Sequence, residues 1–341
     1  MIVSSNERIL VGEMEPVSWG VLSTADIGLS KVIPAMRAAE ISRVDAIASR
    51  SLESARRAAE DLDIPKAFGS YEDLLADPDI EAVYIPLPNH LHLEWTKAAA
   101  AAGKHILCEK PLAMTSDQAR EMVEACESAG VLLMEAFMYR LHPLWAKVRE
   151  LVDTRAIGEV GSIQTVFSYF NDDPTNIRNI PEVGGGALFD IGCYAINVAR
   201  MLFGSEPTAV KASIRRDESL GTDVVTSALL DFGGRHSTFT CSTQLEPEQR
   251  VDIHGDAGRL VVEIPFNIPP DRPTKVIQVA GGASPVSPAF EIHELPSANQ
   301  YTIQADAFSR AIRAGDPAPT APSDAVANIE VIERIFADAG A

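Results

Sequence analysis

The chain has 341 residues, 46% of them hydrophobic, and carries 29 basic against 48 acidic side chains, a formal net charge of −19. Phosphate-backbone binding needs clustered Lys and Arg, and no basic block occurs, which argues against a nucleic-acid partner. No apolar run approaches the ~20 residues needed to cross a bilayer, so no membrane partner is expected, and the length suits two domains at ~150 residues each.

Residues 1–16 are mixed polar and acidic, with neither the basic start nor the apolar stretch of a signal peptide, and are read as a loose leader of a cytoplasmic protein. Cys108, Cys126, Cys193 and Cys241 are scattered through apolar patterns without metal-like or redox-like spacing. They are expected to be reduced, buried thiols, and no metal site is expected.

From Val17 onward strand and helix patterns alternate, as in βαβ units of a parallel sheet. Strands are predicted at 17–22, 43–48, 82–85, 104–108 and 131–134, with helices near 29–39, 52–61, 71–76, 90–102 and after Thr115 or Ser116. After His142-Pro143 the texture changes. One helix (144–152) precedes strand-like stretches at 162–170, 208–214, 224–232, 236–241, 250–254, 259–264 and 276–279, separated by turns as in an antiparallel meander. Helices at 300–314 and 323–337 close the chain. The predicted class is α/β: a Rossmann-type domain over 17–140, then an α+β domain over 141–341 with a large, mainly antiparallel open sheet. The last helices are candidates for packing back on the first domain.

Chemistry concentrates in three places. The turn after the first strand, Ser23-Thr24-Ala25-Asp26-Ile27-Gly28, has small residues where dinucleotide folds have glycines, so backbone amides and a helix N-terminus can approach a pyrophosphate. At the end of the second strand, Ser49-Arg50 replaces the acidic residue that holds the ribose of NAD; a hydroxyl and a guanidinium suit a 2′-phosphate, which favours NADP over NAD. Arg56 or Arg57 is placed to add charge. Third, Glu109-Lys110-Pro111 puts a lysine at the carboxyl end of a buried strand, where open α/β sheets bind ligands. Gly184-Gly185-Gly186 introduces Asp190 and Tyr194, which share a face at i and i+4 if a helix begins near Ala187.

Together with Pro88-Asn89-His90-Leu91-His92, Met134–Arg140 and Ile264–Asn267, these segments resemble the glucose-fructose oxidoreductase/inositol dehydrogenase (Gfo/Idh/MocA) family. Tyrosine at 194, where many relatives have histidine, is similar to the branch of NADP-dependent aldose (xylose or glucose) dehydrogenases and dimeric dihydrodiol dehydrogenase. The resemblance implies an oxidoreductase that passes hydride between a sugar or polyol and the nicotinamide, and a homodimer or homotetramer assembled through the second sheet. It implies Tyr194 as acid/base, Lys110 as the cation that favours its phenolate, and Asp190 and Arg178 as substrate-binding groups. Around the cofactor it implies Ser23, Thr24, Ala25, Asp26, Ile27, Ser49, Arg50, Leu87, Asn89, His92, Glu109 and Lys110. Oxidation of a cyclic aldose to its lactone is the leading expectation. Dihydrodiol oxidation and keto-sugar reduction are alternatives, as is a catalytically idle NADP-binding regulator.

Overall fold

Val17–Leu22 is buried at every position, as a central strand covered by helices on both faces must be. It is β1 of a computed structural model that describes residues 14–282 and 289–340. The leader expected over 1–16 lies outside the described residues up to position 13. The carbonyls of Glu15 and Pro16 accept from Arg313 at 2.7 and 2.9 Å, which anchors these two residues.

The first domain continues with α1 (Ile33–Arg37), β2 (Ser42–Ala48), α2 (Leu52–Asp61), β3 (Lys66–Phe68), α3 (Tyr71–Leu75), β4 (Ala82–Ile85), α4 (His92–Ala101), β5 (His105–Cys108), α5 (Ser116–Ala129) and β6 (Leu133–Glu135). Its six strands run in the order β3-β2-β1-β4-β5-β6, every pair parallel. Local chemistry sets the helix ends: Ser51 and Thr115 accept from the Ser54 and Gln118 amides, and α5 stops at Gly130 in the left-handed region.

The second domain comprises α6 (Pro143–Asp153), β7 (Val160–Phe170), α7 (Cys193–Phe203), β8 (Ala209–Arg216), β9 (Asp223–Asp231), β10 (His236–Ser242), β11 (Gln244–Gly255), β12 (Gly258–Val262), β13 (Thr274–Ala280), β14 (Phe290–Leu295), α8 (Gln300–Ala314) and α9 (Pro322–Asp338). Its eight-stranded sheet is not one simple meander. The order is β14-β13-β12-β11-β7-β10-β9-β8, and β7 lies between two hairpin series, parallel to β10 and antiparallel to β11. Two short edge strands, β3 and β14, had no strand prediction.

Helix α8 closes the face of the first sheet: Phe308 packs on Trp19, and the Trp19 indole donates to Ser309 Oγ at 3.1 Å. Helix α9 links the domains, with Glu333 accepting from the amide and hydroxyl of Ser116, each at 2.8 Å, while Arg140 and Arg200 converge on Asp324. The stretch Pro181–Phe203 is apolar and long enough by composition to cross a membrane, but 78% of its most apolar 18-residue window is buried inside the protein. The four cysteines are free and buried.

Candidate active site

The carboxyl ends of β1, β2, β4 and β5 open on one edge of the parallel sheet, and the second domain faces them across a cleft of about 1090 Å³. Ser23, Thr24, Ala25, Asp26 and Ile27 line it behind β1, Ser49 and Arg50 behind β2, Leu87 and Asn89 behind β4, and Glu109 and Lys110 behind β5. The turn needs no glycine at its start, because Ser23 itself adopts φ 129°, and its hydroxyl accepts from the Ala25 amide at 2.9 Å. Strain of this kind concentrates where a backbone must approach a ligand. A helix starts at Asp26 and widens into a π-turn over Gly28–Val32. A strand-end cradle of small residues, a helix N-terminus and a half-buried serine beside an exposed arginine in one continuous cleft fit a phosphorylated dinucleotide. Arg56 and Arg57 do not line the cleft, and Arg57 is paired instead with Glu53 at 3.0 Å.

At the far end, residues from both domains meet. Lys110 Nζ donates to the Asp190 carbonyl at 2.6 Å and to its Oδ1 at 3.2 Å. The same carboxylate accepts from Tyr169 Oη at 2.6 Å and from Arg178 Nε at 3.2 Å. Burial opposes ionisation of Asp190, but Lys110 and Arg178 overrule it and hold the carboxyl down at about 2. Burial likewise works against the Lys110 ammonium, but Asp190 together with Cys193 and Glu109 outweighs it, so its pKa rises. The site therefore rests with a lysine cation locked to a carboxylate.

Tyr194 sits beside this pair, yet not as the sequence anticipated. Lys110 Nζ lies 5.1 Å from the centre of its ring, a cation–π arrangement, and the phenol donates to Met138 Sδ at 3.8 Å. Rings of Phe137, Phe167 and Phe266 enclose it, at 5.1, 5.7 and 5.0 Å between centroids. Burial pushes the Tyr194 phenol well above its usual value, so the expectation that Lys110 favours its phenolate is corrected. The Lys110 ammonium hydrogen-bonds Asp190 and lies over the face of the ring, with no hydrogen bond to the phenol oxygen among the described residues. The segment Leu188–Gly192 is a π-turn, not the first turn of an α-helix, so Asp190 bonds Lys110, Tyr169 and Arg178 while Tyr194 points into the aromatic cage.

His92 is a second correction. It is fully buried and does not border the cleft. Its ring bridges the carbonyls of Leu87, at 2.8 Å, and Pro111, at 3.0 Å, tying together the two loops that carry Asn89 and Lys110. Asn89 lines the cleft and donates to the Gly184 carbonyl at 2.9 Å. A side chain at Gly185 would lie 2.7 Å from the carbonyls of Arg178 and Ile180, so this glycine lets the Arg178 loop pack against the turn before Asp190. Glu109 accepts from Tyr84 Oη at 2.5 Å, and burial raises its pKa.

Sequence reasoning did not single out Tyr169, Tyr84, Gln249 or Met138. Tyr169 and Gln249 lie on alternating strands whose pattern reports only which face is buried. The apolar segment around Met138 reads as core, and Tyr84 lies inside a fully buried strand whose hydroxyl had no visible partner.

Residues 19–137 match the oxidoreductase family's NAD-binding Rossmann fold, and residues 145–261 match the GFO/IDH/MocA C-terminal domain. The chain is 43% identical over 323 residues to an uncharacterised oxidoreductase of Rhizobium meliloti, covering 94% of this chain and 96% of that one. It is 38% identical over 323 residues to a D-xylose 1-dehydrogenase (NADP+) of Haloferax volcanii, covering 94% and 97%. Among solved structures, the 3-ketoreductase KijD10 of Actinomadura kijaniata, in complex with NADP and TDP-benzene, superposes with a TM-score of 0.88 at 31% identity, covering 95% of this chain and 98% of that one. With both domains matched, the chain belongs to the Gfo/Idh/MocA family of NAD(P)-dependent oxidoreductases.

Proposed function

We propose that the protein is an NADP-dependent sugar oxidoreductase that oxidises a cyclic aldose at its anomeric carbon to the lactone. The observation that carries this reading is the meeting of Lys110 from the first domain with Asp190 and Tyr194 from the second at one end of a dinucleotide-shaped cleft. The bound cofactor supplies the acceptor for the substrate's hydride. Lys110 Nζ, fixed by Asp190, is the hydrogen-bond donor for the reacting oxygen. Tyr169 and Arg178 fix Asp190 in turn. Tyr194 exchanges the hydroxyl proton, and the aromatic cage keeps bulk water from that oxygen. Exposed Arg50, with Ser49, is the basis for preferring the 2′-phosphorylated cofactor.

The charge of the substrate end favours an uncharged sugar. Among the described residues contributed there by the second domain, Arg178 is the one cation, already paired with Asp190, and Glu248 adds negative charge. A nucleoside diphosphate sugar finds no free cation in that half. The protonated state of Tyr194 supports a second reading, reduction of a keto-sugar, because a neutral phenol is a ready proton donor. A homodimer or homotetramer through the open face of the second sheet, where Val166 and Leu229 are 39% and 37% exposed, completes the proposal.

The test is a panel of aldoses, trans-dihydrodiols and keto-sugars followed by NADPH absorbance, with NAD in parallel. Lys110→Ala and Tyr194→Phe are each expected to lower turnover of the preferred sugar by at least ~10²-fold. Cofactor binding without turnover of any of them would refute the enzymatic reading, and a strong NAD preference would refute the cofactor assignment.

A further inference from the structure

Gln249 lies on β11 just after a break in the register with β7, directly opposite Phe167. Both side chains line the cleft, and the Phe167 ring stacks on Phe266 at 5.1 Å and meets Tyr194 at 5.7 Å. Gln249 Oε1 accepts from two consecutive main-chain amides, Phe266 at 3.1 Å and Asn267 at 2.9 Å. The Phe266 carbonyl is held from the other side by buried Gln300 Nε2 at 3.0 Å. A carboxamide can be read in either orientation when its partners are ambiguous, but two N–H donors admit only an oxygen. The orientation of Gln249 is therefore fixed. Its Nε2, with two donors, has no protein acceptor among the described residues, and Gln249 lines the same cleft as Tyr194.

We propose that Gln249 is a specificity-determining residue whose Nε2 donates to a ring hydroxyl oxygen of the sugar, and so selects the substrate that presents that hydroxyl. This rests on the reading of the cleft as a sugar site. A buried or half-buried donor left without its acceptor is penalised, which is how a site rejects an analogue lacking one hydroxyl. Asn176 is presented in a similar way, its Oδ1 taken by the Arg178 amide at 3.0 Å. It also caps the turn that carries Arg178, so a change there would disturb the Asp190 cluster as well. Gln249 touches neither Lys110 nor Asp190 by hydrogen bond, which makes it the cleaner probe.

The experiment compares the preferred sugar with its monodeoxy analogues on the wild type, Gln249→Glu and Gln249→Ala, with NADPH binding followed by fluorescence. Gln249→Glu keeps an oxygen for both amides and removes the donors. For one ring position the wild type is expected to favour the hydroxylated sugar by ~10- to 100-fold in kcat/KM. In both variants that ratio should fall to within about threefold of unity, mainly through a raised KM, with NADPH affinity unchanged. If sugars are turned over but no position shows a preference that the variants erase, the role of Gln249 is overturned and the sugar reading stands. If the wild type turns over no sugar while binding NADPH, the sugar reading fails and the proposal falls with it.

Discussion

Replacing Asp190 by Asn tests whether the lysine–carboxylate lock at the mouth of β5 stores stability as well as geometry. The side chains of Lys110 and Asp190 are 13% and 12% exposed, so their attraction is little screened, whereas Arg178 at 44% contributes less. A carboxyl held at about 2 in the folded chain, against 3.8 ordinarily, corresponds to roughly 2–3 kcal/mol at neutral pH. Because the folded value is depressed, this stability is fully present above the unfolded pKa and is lost as pH falls toward the folded one. About half of it is gone at pH 3. Urea unfolding of wild type and Asp190→Asn at pH 6 and pH 3 reads the difference directly. The gap between the two proteins should narrow by ~1 kcal/mol between those conditions. A gap that stays constant would show that Asp190 is not held ionised by Lys110 and Arg178, and the argument for a fixed Lys110 cation would fail with it.

Glu135 gives a pH dependence of opposite sign. It is 3% exposed, its Oε1 accepts from the Leu112 amide at 2.8 Å, its Oε2 has no partner among the described residues, and burial pushes its pKa up to about 8. A raised carboxyl favours the fold fully below its unfolded pKa, and that advantage is lost as pH rises toward 8, by ~3–5 kcal/mol for a group this buried. Glu135→Gln should abolish this decline in a melting-temperature series from pH 5 to pH 9, and an unchanged slope would count against it. At the cofactor end, Arg50→Ala should raise KM for NADP by ~10- to 100-fold and leave KM for NAD within about threefold. Equal effects on both cofactors would remove Arg50 from the 2′-phosphate.

Much of the first domain was legible because hydrophobic periodicity and end signals agree there. The limits of β1, α2 and β4 coincide with continuous or amphipathic apolar runs, and Thr115 and Gly130 mark the ends of α5. Strand β3 was missed because its three residues are all half-buried and carry no alternation, and β14 because it is an edge strand with Phe290 and Ile292 facing outward. The sequence also brought Lys110, Asp190 and Tyr194 to one cleft. It could not show which atoms meet. One additional residue in the turn at Leu188–Gly192 decides that Asp190 takes the lysine and Tyr194 takes the cage, and a π-turn has no distinct composition. Strand patterns place Tyr169 and Gln249 on faces without saying what stands opposite.

The environment of Tyr194 determines what a proton-transfer role demands of it. The residue is 5% exposed, its hydroxyl donates to a thioether at 3.8 Å, and Glu109 and Asp190 nearby disfavour a second negative charge. In the free protein the phenol is therefore neutral across the physiological range, and it can give a proton without prior ionisation. Taking one requires that something lower its pKa first, and the change available is binding of the oxidised, positively charged nicotinamide. Ultraviolet difference titration of wild type against Tyr194→Phe separates the two states. Without cofactor, no phenolate absorbance assignable to Tyr194 should appear below about pH 10, the ordinary value for tyrosine. With oxidised cofactor bound, the onset should move down, because a nearby positive charge favours the phenolate. A Tyr194 phenolate forming near pH 8 in the free protein would mean that Lys110 already tunes it, and that the aromatic cage does not set its resting state.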